Sequence, residues 1–208
     1  MTATVSFRIE FHTPFRVGTG GGDTQADQTL DEHNPLPAST IKGLMRQSAR
    51  ILLPPRPDPK DASRVHDHEL VDAVFGGRPA AGGGAVDSPW HWEDGEVEAY
   101  KQRADSPKRQ RVRIALKDGV VARHALVVGD ELWASGASAE IWLRGTLAPA
   151  DERLHVALLN WSATLMDGVG SDRRRGLGWC SVHLPQADAE SLQLIRGHAT
   201  QLAGGAKS

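Results

Sequence analysis

Apolar and polar residues alternate at the start of the chain. Val5, Phe7, Ile9 and Phe11 are separated by polar side chains, which is the two-residue period of a strand with one buried face. Further strand-like runs are found at 85–92, 112–116, 125–128, 139–147 and 179–184. A Lys-Asp-Gly turn at 117–119 separates two of these runs, so the pattern predicts a β-hairpin there.

Helical spacing replaces this alternation in longer segments. Between residues 39 and 53 the apolar side chains fall on one side of a helix, and Lys42, Arg46 and Arg50 fall on another. We expect Ser39 or Thr40 to cap this helix, because a hydroxyl oxygen accepts hydrogen bonds from the first free N–H groups. The same spacing predicts a helix at 152–166, a short helix at 70–75, and a loose helix and tail at 187–208.

The order of these elements indicates the fold class. Strand, helix, short helix, several strands, helix, glycine-rich loop and strand follow one another. This order fits an α+β fold in which helices cover one face of an antiparallel sheet, including the ferredoxin-like βαββαβ arrangement. A chain of 208 residues is long enough for one sizeable core. We therefore predict a single domain over 1–208.

Charge is unevenly distributed along the chain. The formal net charge of −2 provides no global basic field, yet eight lysines and arginines lie between residues 100 and 124. Among them, Arg109 and Arg111 lie on the approach to the predicted hairpin, where they would grip a polyanion or form a charged exposed loop. The single cysteine, Cys180, excludes an intrachain disulfide and suits a reducing compartment. Since neither a signal peptide nor a membrane-spanning run is evident, we expect a cytoplasmic, soluble protein.

Two glycine-rich loops are candidates for phosphate binding. The first, at 16–23, is neither a dinucleotide fingerprint nor a Walker loop, and by itself such a loop more often only reverses the chain. In the second, at 167–178, glycines let backbone N–H groups approach phosphate, and three arginines offer matching donors. The start of the first long helix is another anion site, unless its cations form only a solvated face. The candidate phosphate ligands are Ser39, Thr40, Lys42, Arg46, Gly170, Ser171, Arg173, Arg174, Arg175 and Gly176.

Asp23, Asp27 and Asp31 lie between the first glycine-rich loop and the helix. Carboxylates beside an anion site would repel phosphate unless they hold a metal or act on a proton. The alternative is turn chemistry, in which aspartate is favoured. A histidine pair at His66 and His68 lacks further ligands at a metal-binding spacing. The aspartates are therefore the better candidates for catalysis.

Three segments together indicate a family. Residues 35–46 read PLPASTIKGLMR, residues 74–77 read VFGG ahead of GGAVDSPWHWED, and residues 168–178 read GVGSDRRRGLG. In this order they resemble the PxxPxSSLKGxxR segment, the FG-containing region and the carboxy-terminal glycine-rich loop of the RAMP superfamily of CRISPR proteins. The resemblance is to the backbone subunits of type III effector complexes, and it covers about residues 7–184.

The resemblance implies a modified ferredoxin-like (RRM-like) palm with a β-hairpin thumb, which we place at about 93–128. Several copies would stack along a guide RNA, whose phosphates the helix start and the arginine loop would hold. A loop aspartate would support cleavage of bound target RNA with a divalent cation, Mg²⁺ or Mn²⁺. Asp27 fits this catalytic and metal-binding position best, and Asp23 is the second choice. The implied partners are guide (CRISPR) RNA, target RNA, further copies of the chain and other CRISPR effector subunits, without a membrane.

Alternatives stay open in two classes. Within the superfamily, the chain could be a capping subunit or an endoribonuclease that processes the guide precursor, with His12 or His33 in acid–base chemistry. Outside it, the chain could be a metabolic enzyme that binds a phosphorylated small molecule through its glycine-rich loops. No acid–base constellation supports that enzyme.

Overall fold

The fold is built on an antiparallel sheet with helices on one face. The computed structural model describes residues 2–58, 61, 65–77, 84–99, 108–117 and 120–205. Along the chain the elements are β1 (Thr4–Phe11), α1 (Ala38–Leu52), β2 (Arg56–Pro57), β3 (Val65–His66), α2 (Glu69–Phe75), β4 (Trp90–Trp92), β5 (Glu96–Ala99), β6 (Lys108–Lys117), β7 (Val120–Leu132), β8 (Ala134–Leu143), α3 (Pro149–Thr164), β9 (Cys180–Val182) and α4 (Ala189–Gly205).

The sheet has the strand order of a ferredoxin-like fold. Strand β1 lies between β8 and β9, while β4 and β5 pair with successive parts of β8 and together form one interrupted edge strand. All these pairings are antiparallel. With α1 after β1 and α3 after β8, the connectivity is βαββαβ. The predicted α+β class is confirmed.

The core lies between the sheet and two helices. The alternation in β1 places Val5, Phe7, Ile9 and Phe11 on the buried face, as predicted. Helices α1 and α3 pack against each other, and α3 also contacts β1. Helix α2 packs on α1, and α4 packs on α3. The position of α1 follows from this arrangement, because its buried side chains fix which of its faces is exposed.

A long β-hairpin extends from the sheet between β5 and β8. Strands β6 and β7 pair from Lys108 with Leu132 to Lys117 with Val120. The hairpin was predicted, but it differs from the predicted thumb range of 93–128 at both ends. Within that range, residues 96–99 belong to the main sheet as β5, and β7 continues beyond the end of the range to Leu132. The turn at 118–119 and the basic residues at 101–107 lie outside the described residues.

Most other boundaries shift by a few residues. Helix α3 begins three residues earlier than the predicted 152, at Pro149, because proline suits the first turn of a helix. Helix α4 over Ala189–Gly205 lies within the loose helix and tail predicted at 187–208. The strand predicted at 85–92 is reduced to β4 at Trp90–Trp92. Among the described residues, no helix is long and apolar enough to cross a membrane.

Candidate functional site

One groove runs between the first turns of α1 and both glycine-rich loops. Its first part is a cavity of about 340 Å³, and its second part is a cavity of about 570 Å³. Both are lined by Gly18 and Ser171, so they adjoin each other. The first part is also lined by Val17, Ser39, Thr40, Gly43, Leu44 and Gly170. The second part is also lined by Arg16, Gly20, Gly21, Gly22, Asp27, Gln28 and Thr29.

Close backbone contact joins the two glycine-rich loops. Gly170 forms a β-bridge with Arg16, and the Ser171 N–H donates to the Arg16 carbonyl at 2.8 Å. Gly170 has φ of +81°, and a Cβ placed there would lie 2.1 Å from the Arg16 carbonyl oxygen. Only glycine fits this position without strain. The glycine at 170 therefore serves the contact between the loops as well as the access of a ligand.

Arg16 is the most important residue of the groove that sequence reasoning missed. Its side chain is 3% exposed, and its guanidinium donates to Ser171 Oγ at 3.1 Å, to the Asp130 carbonyl at 3.3 Å and to Asp172 Oδ2 at 2.5 Å. A buried arginine with a carboxylate partner holds the elements that supply its acceptors. Its position just before the glycine run was the only signal in the sequence.

The Asp172 carboxylate pairs with arginines from three parts of the fold. Its carboxylate accepts hydrogen bonds from Arg16, from Arg113 on β6 at 3.0 Å and from Arg175 at 3.3 Å. Asp172 is also the only described non-glycine residue with positive φ, at 58°, a conformation that aspartate tolerates better than most residues. This one side chain thus links the first glycine-rich loop, the hairpin and the second glycine-rich loop.

The start of α1 is capped by a different residue from the one predicted. The N-cap is Pro37, without a side-chain cap, and the Ala38 N–H donates to Asp94 Oδ1 at 2.7 Å. The expectation that Ser39 or Thr40 caps the helix is therefore wrong, because Asp94 from the β4–β5 connection reaches the helix end instead. Within the described part of the chain, neither hydroxyl has a hydrogen-bond partner. Both therefore face the groove with unused donors and acceptors.

The cations on the flank of α1 have partners inside the protein. Arg46 donates to Asp67 and Asp72, and Arg50 donates to Asp67. The Lys42 ammonium lies 4.8 Å from the centre of the Trp92 ring, and burial lowers its pKa. None of the three lines either part of the groove. The predicted cationic stripe exists, but it faces α2 and β4, so these residues are not brought to the glycine-rich loops.

The three consecutive arginines form a single turn of 3-10 helix over Arg173–Arg175. Arg173 donates to Gln47 of α1 at 3.4 Å and lines, with Leu44, a small cavity of about 90 Å³ beside the groove. Arg174 is exposed and makes no hydrogen bond or ion pair with the described residues. Gly176 ends the turn at φ of +83°. The loop therefore places Arg173 at a cavity beside the groove and leaves Arg174 and Arg175 exposed.

The hairpin brings further cations to the same loop. Arg111 donates to the Arg175 carbonyl at 3.3 Å. Arg109 lies over Trp133, with its guanidinium carbon 5.5 Å from the ring centre, as expected for a cation–π pair. Of the two predicted hairpin ligands, Arg111 is thus next to the arginine turn. Arg109 is held on the indole of Trp133.

Asp27 and Asp23 have different environments. Asp27 is exposed and lines the groove, and its Oδ2 accepts from the Val128 N–H of β7 at 2.8 Å. Asp23 Oδ1 accepts from the N–H groups of Gln25 and Ala26, both at 2.7 Å, and these bonds lower its pKa. Asp23 therefore builds a turn, and Asp27 is the carboxylate that reaches the groove.

The carboxylates do not form a ready-made metal site. Among the described residues, no group of three or more histidine, cysteine, aspartate or glutamate side chains could hold a metal ion. His66 is instead hydrogen-bonded to Asp58 Oδ2 at 2.7 Å. Mg²⁺ commonly binds through one or two carboxylates together with waters and substrate phosphates. A single carboxylate at Asp27 fits that mode, provided that a phosphate chain supplies further oxygens.

The histidines proposed for precursor processing lie outside the groove. The His12 ring nitrogen Nε2 is 3.0 Å from Ser181 Oγ on β9, and His33 lies in the turn built by Asp31. Neither lines the two cavities that form the groove. The geometry brings together no acid–base pair at these positions.

The fold and the groove define a class of protein. It is a ferredoxin-like α+β domain in which a helix start and two glycine-rich loops form a groove. The chain belongs to the RAMP superfamily, whose family model matches residues 8–181. The predicted family is confirmed, and the match includes all three segments on which the resemblance was based.

Solved structures show the same fold. One similar chain comes from the type III-B Cmr-beta cryo-EM structure of the apo state, with a TM-score of 0.59, 10% identity, and coverage of 86% of this chain and 96% of that chain. Another comes from the cryo-EM structure of type III-B Cmr-beta bound to cognate target RNA, with a TM-score of 0.56 and 14% identity. This second alignment covers 88% of the present chain and 59% of the other. A search of curated protein sequences finds no match.

Proposed function

We propose that this chain is a subunit of a type III CRISPR effector complex and holds guide RNA in the groove. The observation that supports this most strongly is that the cavity at Ser39 and Thr40 adjoins the cavity at the first glycine-rich loop, with Gly18 and Ser171 lining both, in a member of the RAMP superfamily. Hydroxyl groups, exposed glycine backbone and the arginines of the second glycine-rich loop are the groups that bind phosphate and ribose. They do not distinguish bases, so sequence selection would come from pairing between guide and target.

The proposal includes cleavage of target RNA at Asp27. The Asp27 carboxylate lines the part of the groove away from α1, and the Val128 N–H fixes one of its oxygens. In a target nucleotide splayed against this wall, the free oxygen would accept the proton of the 2′-hydroxyl. The 2′-oxygen would then attack its own phosphorus in line, and the 5′-oxygen of the next nucleotide would leave. A divalent cation bound there would neutralise charge on the phosphate.

The proposed partners follow from the same surfaces. Guide RNA would occupy the groove, target RNA would pair with it, and further copies of this chain and other effector subunits would extend the assembly. One of the similar structures is a Cmr-beta complex bound to cognate target RNA, which supports this choice of partners. A position at the end of the complex remains the alternative within the superfamily. Copies bound side by side along the RNA would argue for the backbone position.

RNA binding is tested by purifying the full chain and analysing the nucleic acid that accompanies it. We expect bound RNA with a regular nuclease-protection footprint. Arg174→Ala should weaken binding, because Arg174 is exposed on the second glycine-rich loop without a partner among the described residues. Arg153→Ala is the matched control, since Arg153 is an exposed arginine on α3 beside a different cavity. Equal affinity of both variants and the original protein for RNA would contradict the proposed groove.

Cleavage is tested in the assembled complex with Asp27→Asn and Asp23→Asn. We expect the first to lose cleavage by about 100-fold or more, because general-base contributions are of that size, and to assemble normally. Asp23→Asn is the matched control, since an amide oxygen still accepts the two backbone hydrogen bonds. Unchanged cleavage by Asp27→Asn would rule out the role assigned to Asp27. Processing of precursor RNA by the isolated chain would favour the endoribonuclease alternative.

A further inference from the structure

Trp179 is an exposed aromatic side chain at the end of the arginine loop. It follows Gly178 and directly precedes β9, and it is 55% exposed. Trp90 and Trp92, by contrast, are buried in the core. Leaving an indole in water forgoes a large hydrophobic stabilisation. An exposed tryptophan at this place is therefore a feature that needs an explanation.

Polar contacts hold Trp179 in one orientation. Its indole N–H donates to the Arg173 carbonyl at 3.0 Å, and its backbone N–H donates to Thr13 Oγ1 at 2.9 Å. Its carbonyl accepts from the His12 N–H at 2.8 Å. The orientation of the ring is thus fixed by hydrogen bonds of the indole N–H and of the Trp179 backbone. Because the only polar group of the side chain already has a partner, a ligand can contact this residue only through the ring.

The position of the ring relates it to the groove. Arg173, whose carbonyl holds the indole, lines the small cavity that continues along α1 past Leu44, and Leu44 also lines the groove. Trp179 is therefore bonded to a residue that lines the cavity next to the groove. The exposed arginines Arg174 and Arg175 precede it on the same loop. An RNA strand that follows the groove would pass cationic side chains and then meet an aromatic surface.

We propose that Trp179 stacks on an unpaired base of the RNA whose phosphates occupy the groove. This inference rests on the function proposed above. An aromatic side chain beside cations is the usual means of binding single-stranded nucleic acid, and stacking is tolerant of sequence because every base has a π-face. The bonded neighbours of Trp179 are an arginine, a threonine and a histidine, so the edge of the ring and the backbone of this residue have polar partners, as at a surface that meets a polar ligand.

The test uses the full chain and a fluorescein-labelled single-stranded RNA of mixed sequence. Stacking contributions measured by alanine substitution correspond to a loss of about 5- to 150-fold in affinity. We expect Trp179→Ala to weaken binding by a factor in this range, with a similar loss on an oligouridine probe, and Trp179→Phe to retain most of the affinity. Leu194→Ala removes an exposed apolar side chain on α4 and should leave the affinity unchanged.

Intrinsic fluorescence gives a second readout that does not depend on the alanine variant folding. RNA should quench the tryptophan emission of the original protein more than that of Trp179→Phe. Equal quenching of both proteins, or full affinity of Trp179→Ala while Arg174→Ala binds weakly, would overturn the stacking role and leave the groove proposal intact. A change in self-association of Trp179→Ala at unchanged RNA affinity would assign the ring to a protein contact instead. Failure of the original protein to bind any RNA would overturn the proposed function itself.

Discussion

Replacing Asp172 with asparagine tests whether charge holds the groove together. Asparagine has nearly the same shape and tolerates positive φ, so the change removes the charge with little other strain. It leaves the Arg16 guanidinium, only 3% exposed, with neutral acceptors: the Ser171 hydroxyl, the Asp130 carbonyl and a single amide oxygen, which Arg113 and Arg175 also need. Removing one partner of a buried ion pair lowers the free energy of unfolding by about 3–5 kcal/mol. Because Asp172 is itself 16% exposed, the lower end of that range is expected.

Urea denaturation of the two proteins measures this difference. A loss of about 3 kcal/mol is a large part of the stability of an ordinary domain, about 5–15 kcal/mol, so the midpoint should fall clearly at an unchanged slope. Glu98→Gln is the control, because Glu98 pairs with Arg8 at an exposed sheet edge, and its effect should be much smaller. If Asp172→Asn changed the unfolding free energy by less than that control, the three arginine contacts would not stabilise the groove.

Further predictions concern a glycine, acidic pH and salt. Gly170→Ala should lower the free energy of unfolding by more than about 1 kcal/mol, because Gly170 has positive φ and lies against Arg16. Gly43→Ala should raise the free energy of unfolding by about 0.8–1 kcal/mol, since a Cβ at this helical position meets nothing within 4 Å. Reversed signs in denaturation experiments would contradict both predictions. Burial lowers the pKa of His68 and of His155, so below about pH 6.5 the unfolded chain binds more protons than the folded one. The free energy of unfolding should therefore fall as the pH decreases from 7.5 to 5.5. A free energy of unfolding that does not change with pH would show that the two imidazoles titrate alike in the folded and unfolded chain. Finally, the affinity for RNA should fall steeply as the salt concentration rises. Arg174→Ala should reduce the slope of the logarithm of affinity against the logarithm of salt concentration by about 0.7, as expected for one lost phosphate contact to a single strand. An unchanged slope would place Arg174 away from the phosphates.

The sequence predicts the elements of this fold better than their boundaries. The two-residue period of β1 and the helical spacing of α1 and α3 are strong signals, because each element buries one complete face. The edge strand was harder to predict. Strands β4 and β5 are short, and the residues around Asp94 separate them. Glu96 and Glu98 also give β5 the composition of an exposed loop. Their pairing depends on β8, which lies more than thirty residues further along the chain.

The candidate site shows the same limit. Glycine runs and consecutive arginines are visible in the sequence, and the structure brings both loops to one groove. The ion pairs that these arginines form cannot be recognised in the sequence. Arg46 was grouped with phosphate ligands because it faces the same side as Lys42, but its partners, Asp67 and Asp72, come from the segment around α2. Arg16 was overlooked because burial of an arginine depends on acceptors more than one hundred residues away.

The hydrogen bonds between Asp27 and the hairpin have a mechanical consequence. Asp27 and Val128 exchange two hydrogen bonds, each 2.8 Å long, and the Asp130 N–H donates to the Gln28 carbonyl, also at 2.8 Å. The segment that bears the carboxylate is therefore held beside β7, where Gln28 and Gly129 form an isolated β-bridge. A movement of the β6–β7 hairpin relative to the sheet therefore displaces the Asp27 carboxylate as well. The position of this carboxylate in the groove thus depends on the contacts that other molecules make with the hairpin.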